Sequence, residues 1–368
     1  MSASSHSEKL DKLVFYSDPH IGLSRVANTT RESSILWQRL CTASAQQAIT
    51  QGRGKEKALV FCLGDLFDAF HNPEEVLLQG LNLLKSTDYC MEGNHDISNY
   101  VGAVGSLGFL SDLHNGAHCI ASPKLSAPYF DMLPPMNVRG TTVEVTAIPH
   151  TLTQELFLES IQMAGDAVGK SEEEGKKKIL LLHCNVLLPD EFINESTLNL
   201  DPKAVTQALR HFDYILCGHE HDPKDLSGGR VKVLGTTFPT SKSDTLTDKR
   251  ILTFDGDSFE SVMVWNSKDS TKTYSIDNLP DKTDAQFVTV TGQAPSGDAM
   301  SITKTISKFK ERSPDLLALF MEVEFGSQAQ LSNGDHSARP ENLMEKIDKS
   351  LSGHELEPMW KEAKEGVA

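Results

Sequence analysis

Five short apolar runs constrain this chain most, because each leads into a side chain that can hold a metal ion. LVFYS precedes Asp18-Pro19-His20, and LVFCL precedes Gly64-Asp65. DYCM leads through Glu92 to Gly93-Asn94-His95-Asp96, ILLL precedes His183, and YILC precedes Gly218-His219-Glu220-His221. Runs of this length, rich in Val, Ile, Leu and Phe, read as buried strands. In an open α/β sheet the crevice beyond the carboxyl ends of the strands is where ligands bind. The spacing therefore predicts that donors as far apart as Asp18 and His221 meet at one edge of a sheet.

The donors are Asp18, His20, Asp65, Asn94, His183, His219 and His221, with His95 beside them. They exceed the four ligands of a structural zinc site, and no paired-cysteine motif accompanies them. Hard oxygens mixed with imidazole suit Mn²⁺, Fe or Zn²⁺ better than Ca²⁺ or Cu(I). A carboxylate can bridge two ions, and Asp65 is the natural bridge. Two ions about 3.5–4 Å apart can clamp one phosphate while activating a water for in-line attack. Phosphoester hydrolysis is the reaction class this chemistry suggests. Any one of these histidines alone reads as a satisfied core or surface residue; five strand-end placements together do not.

The series DxH, GD, GNHD, H and GHxH resembles the calcineurin-like metallophosphoesterase superfamily over about residues 13–255. Gly64-Asp65-Leu66-Phe67-Asp68, with Gly-Asn-His-Asp, is closer to the SbcD-type nucleases, as is the downstream segment Gly235-Thr-Thr-Phe-Pro-Thr-Ser241. The GDxVDRG and GNHE forms of the protein phosphatases are absent. The resemblance implies a four-layer α-β-β-α sandwich with a small C-terminal α+β cap. It implies metal one on Asp18, His20, Asp65 and His221, and metal two on Asp65, Asn94, His183 and His219. His95 would act on the scissile phosphate as the catalytic residue. Asp96 would orient His95 or a ligand, or else make a turn hydrogen bond. The expected ions are two divalent metals, Mn²⁺ first, with Mg²⁺, Fe or Zn²⁺ as alternatives.

A net charge of −16 sits awkwardly with a nucleic-acid enzyme, because phosphate neutralisation by Lys and Arg normally dominates affinity. Bound metals add positive charge where it matters, and a local basic surface can coexist with an acidic body. Candidate patches are Arg25 and Arg31 after the first motif, Arg53 with Lys55 and Lys57, and Lys242 with Lys249 and Arg250. Arg25 and Arg31 are the candidate substrate-binding pair, since their loop must border the site. No run of eighteen apolar residues exists, and the N-terminus has no apolar segment of a signal peptide, so a cytoplasmic protein without a membrane span is expected. Cys62, Cys90, Cys184 and Cys217 read as small buried hydrophobes in a reducing compartment.

Along the chain we expect a polar tail at 1–12, a catalytic domain at 13–265, a polar linker at 266–286, a cap-like β-α-β domain at 287–326 and a tail at 327–368. Helices are expected at about 33–50, 76–85 (opened by Pro73), 98–113, 153–169, 201–211 and 299–311. His150, after strand 141–148, reads as structural. In the tail, Leu343, Met344, Ile347 and Leu351 form one apolar face, suited to packing on its own domain or to a partner. The SbcD-type resemblance implies DNA as substrate, an SbcC-like ABC ATPase as partner and a homodimer. The leading expectation is thus a DNA exo/endonuclease. The alternative is a small-substrate phosphodiesterase or nucleotidase, favoured by the acidic charge. A non-catalytic scaffold is a third, opposed by the complete ligand set.

Overall fold

The computed structural model describes residues 9–23, 30–97, 104–113, 117–121, 126–169, 175–189, 191, 196–295 and 298–326. Two mixed sheets and their helices give an α/β fold. One sheet contains the parallel strands β2 (Lys12–Tyr16), β3 (Ala58–Cys62), β4 (Tyr89–Met91) and β5 (His118–Ile120). Antiparallel β14 (Lys249–Phe254) and β15 (Phe259–Trp265) extend it, in the order β15-β14-β2-β3-β4-β5. The other contains β1 (Lys9–Leu10), β7 (Met136–Val138), β8 (Thr141–Ile148), β9 (Lys176–Val186), β11 (Tyr214–His219), β13 (Val231–Val233) and β12 (Lys224–Leu226), neighbours in that order. Short β6 (Asp131–Met132) pairs with β8, and β10 (Asn199–Leu200) pairs with β9.

The apolar runs are continuous because both faces of these strands are buried. In β2, Leu13 and Phe15 join one core cluster while Val14 and Tyr16 join another. In β9, Ile179 and Leu181 point one way and Leu180, Leu182 and Cys184 the other. The first cluster lies between the sheets, with Phe15, Phe61 and Met91 meeting Val145, Leu181 and Leu216. Phe15 and Phe61 stack with centroids 5.0 Å apart, and each fully buried ring contributes about 1.5–3 kcal/mol. The second sheet's outer face carries α4 (Gln154–Val168) and α5 (Pro202–Ala208) through Phe157, Ile161 and Val205. The first sheet's outer face carries α1 (Arg31–Arg53), α2 (Glu74–Leu84) and α3 (Ser106–Leu113) through Ala45, Ile49, Leu83 and Leu110. Thr30, Thr153 and Asp201 cap α1, α4 and α5 by accepting a backbone N–H in the first turn.

The chain departs from expectation in several places. Residues 9–10 already form a strand, and β2 begins at Lys12. The 98–113 helix is described from Ser106 onward; residues 98–103 lie outside the described residues. The segment 266–286, which reads as a linker, holds α6 (Ser267–Ser270) and β16 (Thr271–Ser275). β16 pairs in parallel with β17 (Phe287–Pro295), and β18 (Ala318–Gly326) completes a three-stranded sheet with α7 (Ala299–Arg312) between the last two strands in sequence. An edge strand with Thr and Lys half exposed lacks the apolar alternation that marks a strand in sequence. Phe287 and Leu317 pack with Trp37, Phe238 and Trp265, and the Trp37 indole N–H donates to the Pro239 carbonyl at 2.7 Å. The tail from 327, with its expected helix at 341–351, lies outside the described residues. No helix among the described residues is long and apolar enough to cross a membrane.

Candidate metal centre

Both sheets supply the donors, which corrects the expectation of a single sheet edge. Asp18, His20, Asp65 and Asn94 follow β2, β3 and β4 of one sheet, whereas His183 lies in β9 of the other, His219 ends its β11, and His221 follows β11. His183 also differs from the expected strand-end placement. It lies inside β9, opposite Gly218 of β11, because β9 continues to pair with β10 through Asn185 and Val186. The sheets touch here. A Cβ at Gly218 would lie 2.2 Å from Ser17 Oγ and 2.7 Å from the Leu63 carbonyl. Asp18, His20, Asp65 and His219 hold φ of 52°, 44°, 50° and 85°, four of the six non-glycine residues with positive φ among the described residues. Such conformations cost on the order of 1–3 kcal/mol each and persist where surrounding packing enforces them.

The donor atoms fall into overlapping sets. Those of Asp18, His20 and His221 lie within 4.8 Å of one another, as do those of Asp65, His183 and His219, and those of His20, Asp65 and His95. His20 and His221 present their Nε2 atoms to each other at 3.2 Å. Asn94 Oδ1 lies 2.8 Å from His219 Nδ1 and 3.0 Å from His183 Nε2, which places it in the second set. Asp65 Oδ2 is 3.4 Å from His183 Nε2 and 3.8 Å from His20 Nε2, so this carboxylate touches both sets. The Nδ1 of His183 meets the Leu63 carbonyl at 2.8 Å, which leaves Nε2 facing the site. Backbone N–H groups brace the carboxylates: His95 donates to Asp65 at 2.9 Å and His219 to Asp18 at 3.1 Å.

Electrostatics here call for positive charge. Burial alone would raise the Asp65 carboxyl, but the charge and hydrogen bond of His183, with His20 and His95, outweigh it and hold it well below the usual range. Burial disfavours the His183 cation, yet Asp65 first and then Asp18 bring its pKa up to about 10. Burial raises Asp18, against the pull of His183. Burial and the nearby His183 charge push His219 down to about 3. Two carboxylates, an amide oxygen and imidazoles fit divalent cations of the Mn²⁺, Fe or Zn²⁺ kind.

The calcineurin-like phosphoesterase family matches residues 12–223, more than half of the chain. The chain belongs to this family. It is a metallophosphoesterase, a hydrolase of phosphoester bonds, with overlapping His/Asp clusters suited to divalent metals. No curated protein matches it. Among solved structures it is similar to the calcineurin-like phosphoesterase YfkN from Bacillus subtilis, at 14% identity and TM-score 0.37, over 68% of this chain and 88% of that one. It is also similar to the 5'-nucleotidase precursor from Thermus thermophilus, at 17% identity and TM-score 0.40, over 69% and 54%. The NAD nucleotidase NadN of Haemophilus influenzae is similar at 13% and 0.38, over 68% and 48%. The match spans about half the length of these two nucleotidases.

Around the phosphoesterase site, His95 sits with its side chain 38% exposed, its Nδ1 2.7 Å from the Asp68 carbonyl and its Nε2 4.0 Å from Asp65. Asp96 is buried, and its carboxylate accepts backbone N–H bonds from Gly93 at 3.0 Å and from Leu66 and Phe67 at 3.3 Å. It ties the Asp65 loop to the Asn94 turn, the turn-bonding role rather than a contact on His95. Burial, then the Asp65 charge, push its pKa up to about 8. His150 stands with its ring centroid 6.2 Å from that of His183, and burial pushes it down to about 4. Sequence reasoning passes over Asp68 as a site residue, yet its carboxylate lies 3.3 Å from His20 Nδ1; the only signal is the second acid of Gly64–Asp68.

The cationic patches fare differently. Arg25 lies outside the described residues, and Arg31 opens α1 and is exposed. Arg53 pairs with Asp88 at 3.1 Å. The third patch is not a surface patch: Lys249 is wholly buried, its ammonium donating to the His221 carbonyl at 3.0 Å, while Arg250 pairs with Asp225 at 2.6 Å and Lys242 with Glu322. Acidic neighbours, abundant in a chain of net charge −16, neutralise these cations locally. No disulfide links the six cysteines, and Cys62, Cys90, Cys184 and Cys217 are buried.

Proposed function

We propose that this phosphoesterase is a DNA exo/endonuclease of the SbcD type, working with Mn²⁺ in the cytoplasm and coupled to an SbcC-like ABC ATPase. The observation that carries the reading is the 235–241 segment, whose sequence resembles the strand-and-loop of those nucleases. The Thr236 N–H donates to the His221 carbonyl at 3.2 Å, and Thr240 Oγ1 lies 3.0 Å from His221 Nδ1. Asp68 is followed by Ala69 and Phe70, where the phosphatase motif carries its arginine. That arginine is the natural bidentate clamp for a phosphate oxygen pair. We read the layers as an α-β-β-α sandwich and the sheet of β16, β17 and β18 as its C-terminal cap. Homodimerisation belongs to the same reading.

In this reading Asp18, His20, Asp65 and His221 hold one cation and Asp65, Asn94, His183 and His219 the other. When bound, the two ions supply Lewis-acid polarisation of a phosphoryl oxygen and a water acidic enough to attack in line. The chain's own part is orientation and one proton. The His95 Nδ1–H donates to the Asp68 carbonyl, which fixes the ring and leaves Nε2 free for the substrate. Doubly protonated, His95 donates from Nε2 to the leaving oxygen and so stabilises the developing charge. Asp96 keeps the Asp65 and Asn94 loops in register.

A small-substrate phosphodiesterase or nucleotidase is the second reading, favoured by the net charge of −16 and by the pairing of Arg53, Arg250 and Lys242 with acids. One experiment separates the two. The purified protein with Mn²⁺ is offered linear double-stranded DNA, bis-(p-nitrophenyl) phosphate and p-nitrophenyl phosphate, beside His95→Ala. DNA degradation that His95→Ala abolishes supports the nuclease. Hydrolysis of the small diester with intact DNA, with the ATPase partner supplied, rejects it in favour of the second reading.

A further inference from the structure

Behind His221 lies a carboxylate that no motif marks. Asp244, in the short turn Ser243–Leu246, is buried with 4% exposure, and its Oδ2 is 2.9 Å from His221 Nδ1. The same oxygen accepts the Thr240 backbone N–H at 3.0 Å and the Thr240 hydroxyl at 2.6 Å. With Nδ1–H donated to Asp244, the lone pair of His221 is on Nε2, the atom that faces His20 Nε2 within the Asp18, His20 and His221 set. The backbone of His221 is held separately, by the buried ammonium of Lys249 on its carbonyl.

The loop bearing Thr240 is itself clamped. Trp37 and Ser44, both on α1, donate to the carbonyls of Pro239 and Thr237, each at 2.7 Å. Phe238 packs among Trp37, Trp265 and Phe287. Asp244 is thus a rigid acceptor and not a surface carboxylate that happens to approach an imidazole. Ligating histidines depend on such partners for tautomer, ring orientation and basicity, and losing one typically weakens metal affinity by about 10–100-fold.

We propose that Asp244 is the positioning residue of the first metal site, fixing His221 as an Nε2 ligand, with Thr240 holding the carboxylate in place. The proposal rests on the reading of His221 as a ligand of that site. It predicts an effect confined to one of the two ions, because Asn94, His183 and His219 make no contact with this loop through Asp244.

The test is calorimetric titration of Mn²⁺ into the full chain after chelator treatment, with Co²⁺ absorption as a second readout, for wild type, Asp244→Ala, Asp244→Asn and His221→Ala. Asp244→Ala should weaken one ion by about 10–100-fold and leave the other unchanged. Asp244→Asn keeps an acceptor oxygen but loses the charge, so it should fall between wild type and Ala and shift the Co²⁺ spectrum. If Asp244→Ala does not fold, the Asn variant decides: wild-type affinities and spectrum overturn the proposal. Equal weakening at both ions also overturns it, since that is collapse and not positioning. His221→Ala binding both ions as wild type would instead reject the ligand reading on which it stands.

Discussion

Gly93→Ala should damage the metal site although residue 93 offers no donor. A Cβ built at Gly93 would lie 2.2 Å from Asp65 Oδ1, 2.4 Å from the Asp65 nitrogen and 2.8 Å from His183 Cε1. Carbon and oxygen in contact sit at about 3.3–3.6 Å even in their closest favourable arrangement, so the Asp65 loop and the Asn94 turn must separate by roughly 1 Å. Neither side can yield through a flexible side chain: one neighbour is backbone, and Asp65 is braced by the His95 N–H at 2.9 Å. Asp96, which bridges the two loops through Gly93 and Leu66, is strained by the same movement. Overpacking of this kind costs typically about 1–3 kcal/mol, and a misplacement of about 1 Å in a site costs about 10²-fold in rate. The assay is thermal melting of the chelator-treated protein, Mn²⁺ titration, and turnover of bis-(p-nitrophenyl) phosphate, with Gly108→Ala as control. Gly108 lies in α3, where an added Cβ meets only Val104 Cγ1 at 3.5 Å, and Ala there should be neutral or stabilising by up to about 1 kcal/mol. Wild-type melting, metal binding and turnover in Gly93→Ala would refute the claim that this close approach shapes the site.

Three further outcomes test the reading of the site. His95→Ala should abolish turnover while both ions stay bound, and metal analysis at half occupancy would instead make His95 a ligand. Asp65→Asn should weaken both ions together, because its carboxylate touches both donor sets; unchanged metal content would contradict the bridge. Metal binding should also release a proton. His183, brought up to about 10 chiefly by Asp65 against the cost of burial, is charged at pH 8 and must lose its proton to ligate, so apparent affinity should rise about tenfold per pH unit below that value. The shift is upward from 6.5, so the stability it contributes to the cation-free fold is complete below pH 6.5 and fades as pH rises through about 10. Titrations in buffers of different ionisation enthalpy count the protons, and proton uptake would contradict the assignment.

Much of the donor set is legible in the sequence because strand and motif are local. LVFYS, LVFCL and YILC form β2, β3 and β11, whose two buried faces require unbroken apolar runs, and the polar residue that ends each run is conspicuous for that reason. β16 is not legible, since an exposed edge strand of Thr and Lys has the composition of a linker. The patch of Lys242, Lys249 and Arg250 misleads for a similar reason: composition records charge but not the acids that neutralise it or the burial of Lys249.

Sequence alone determined which side chains are available as donors, and the family to which the chain belongs. Tertiary structure decided how they are divided. Asp18, His20, Asp65 and Asn94 come from one sheet and His183, His219 and His221 from the other, and they meet only where Gly218 lets the sheets touch. It also decided that Asp96 braces backbone, that Asp68 lies against His20, and that Asp244 stands behind His221. These partners follow from which loops pack together, not from neighbouring residues. A strand's pattern records whether its faces are buried; it carries no record of the side chain that approaches from another element.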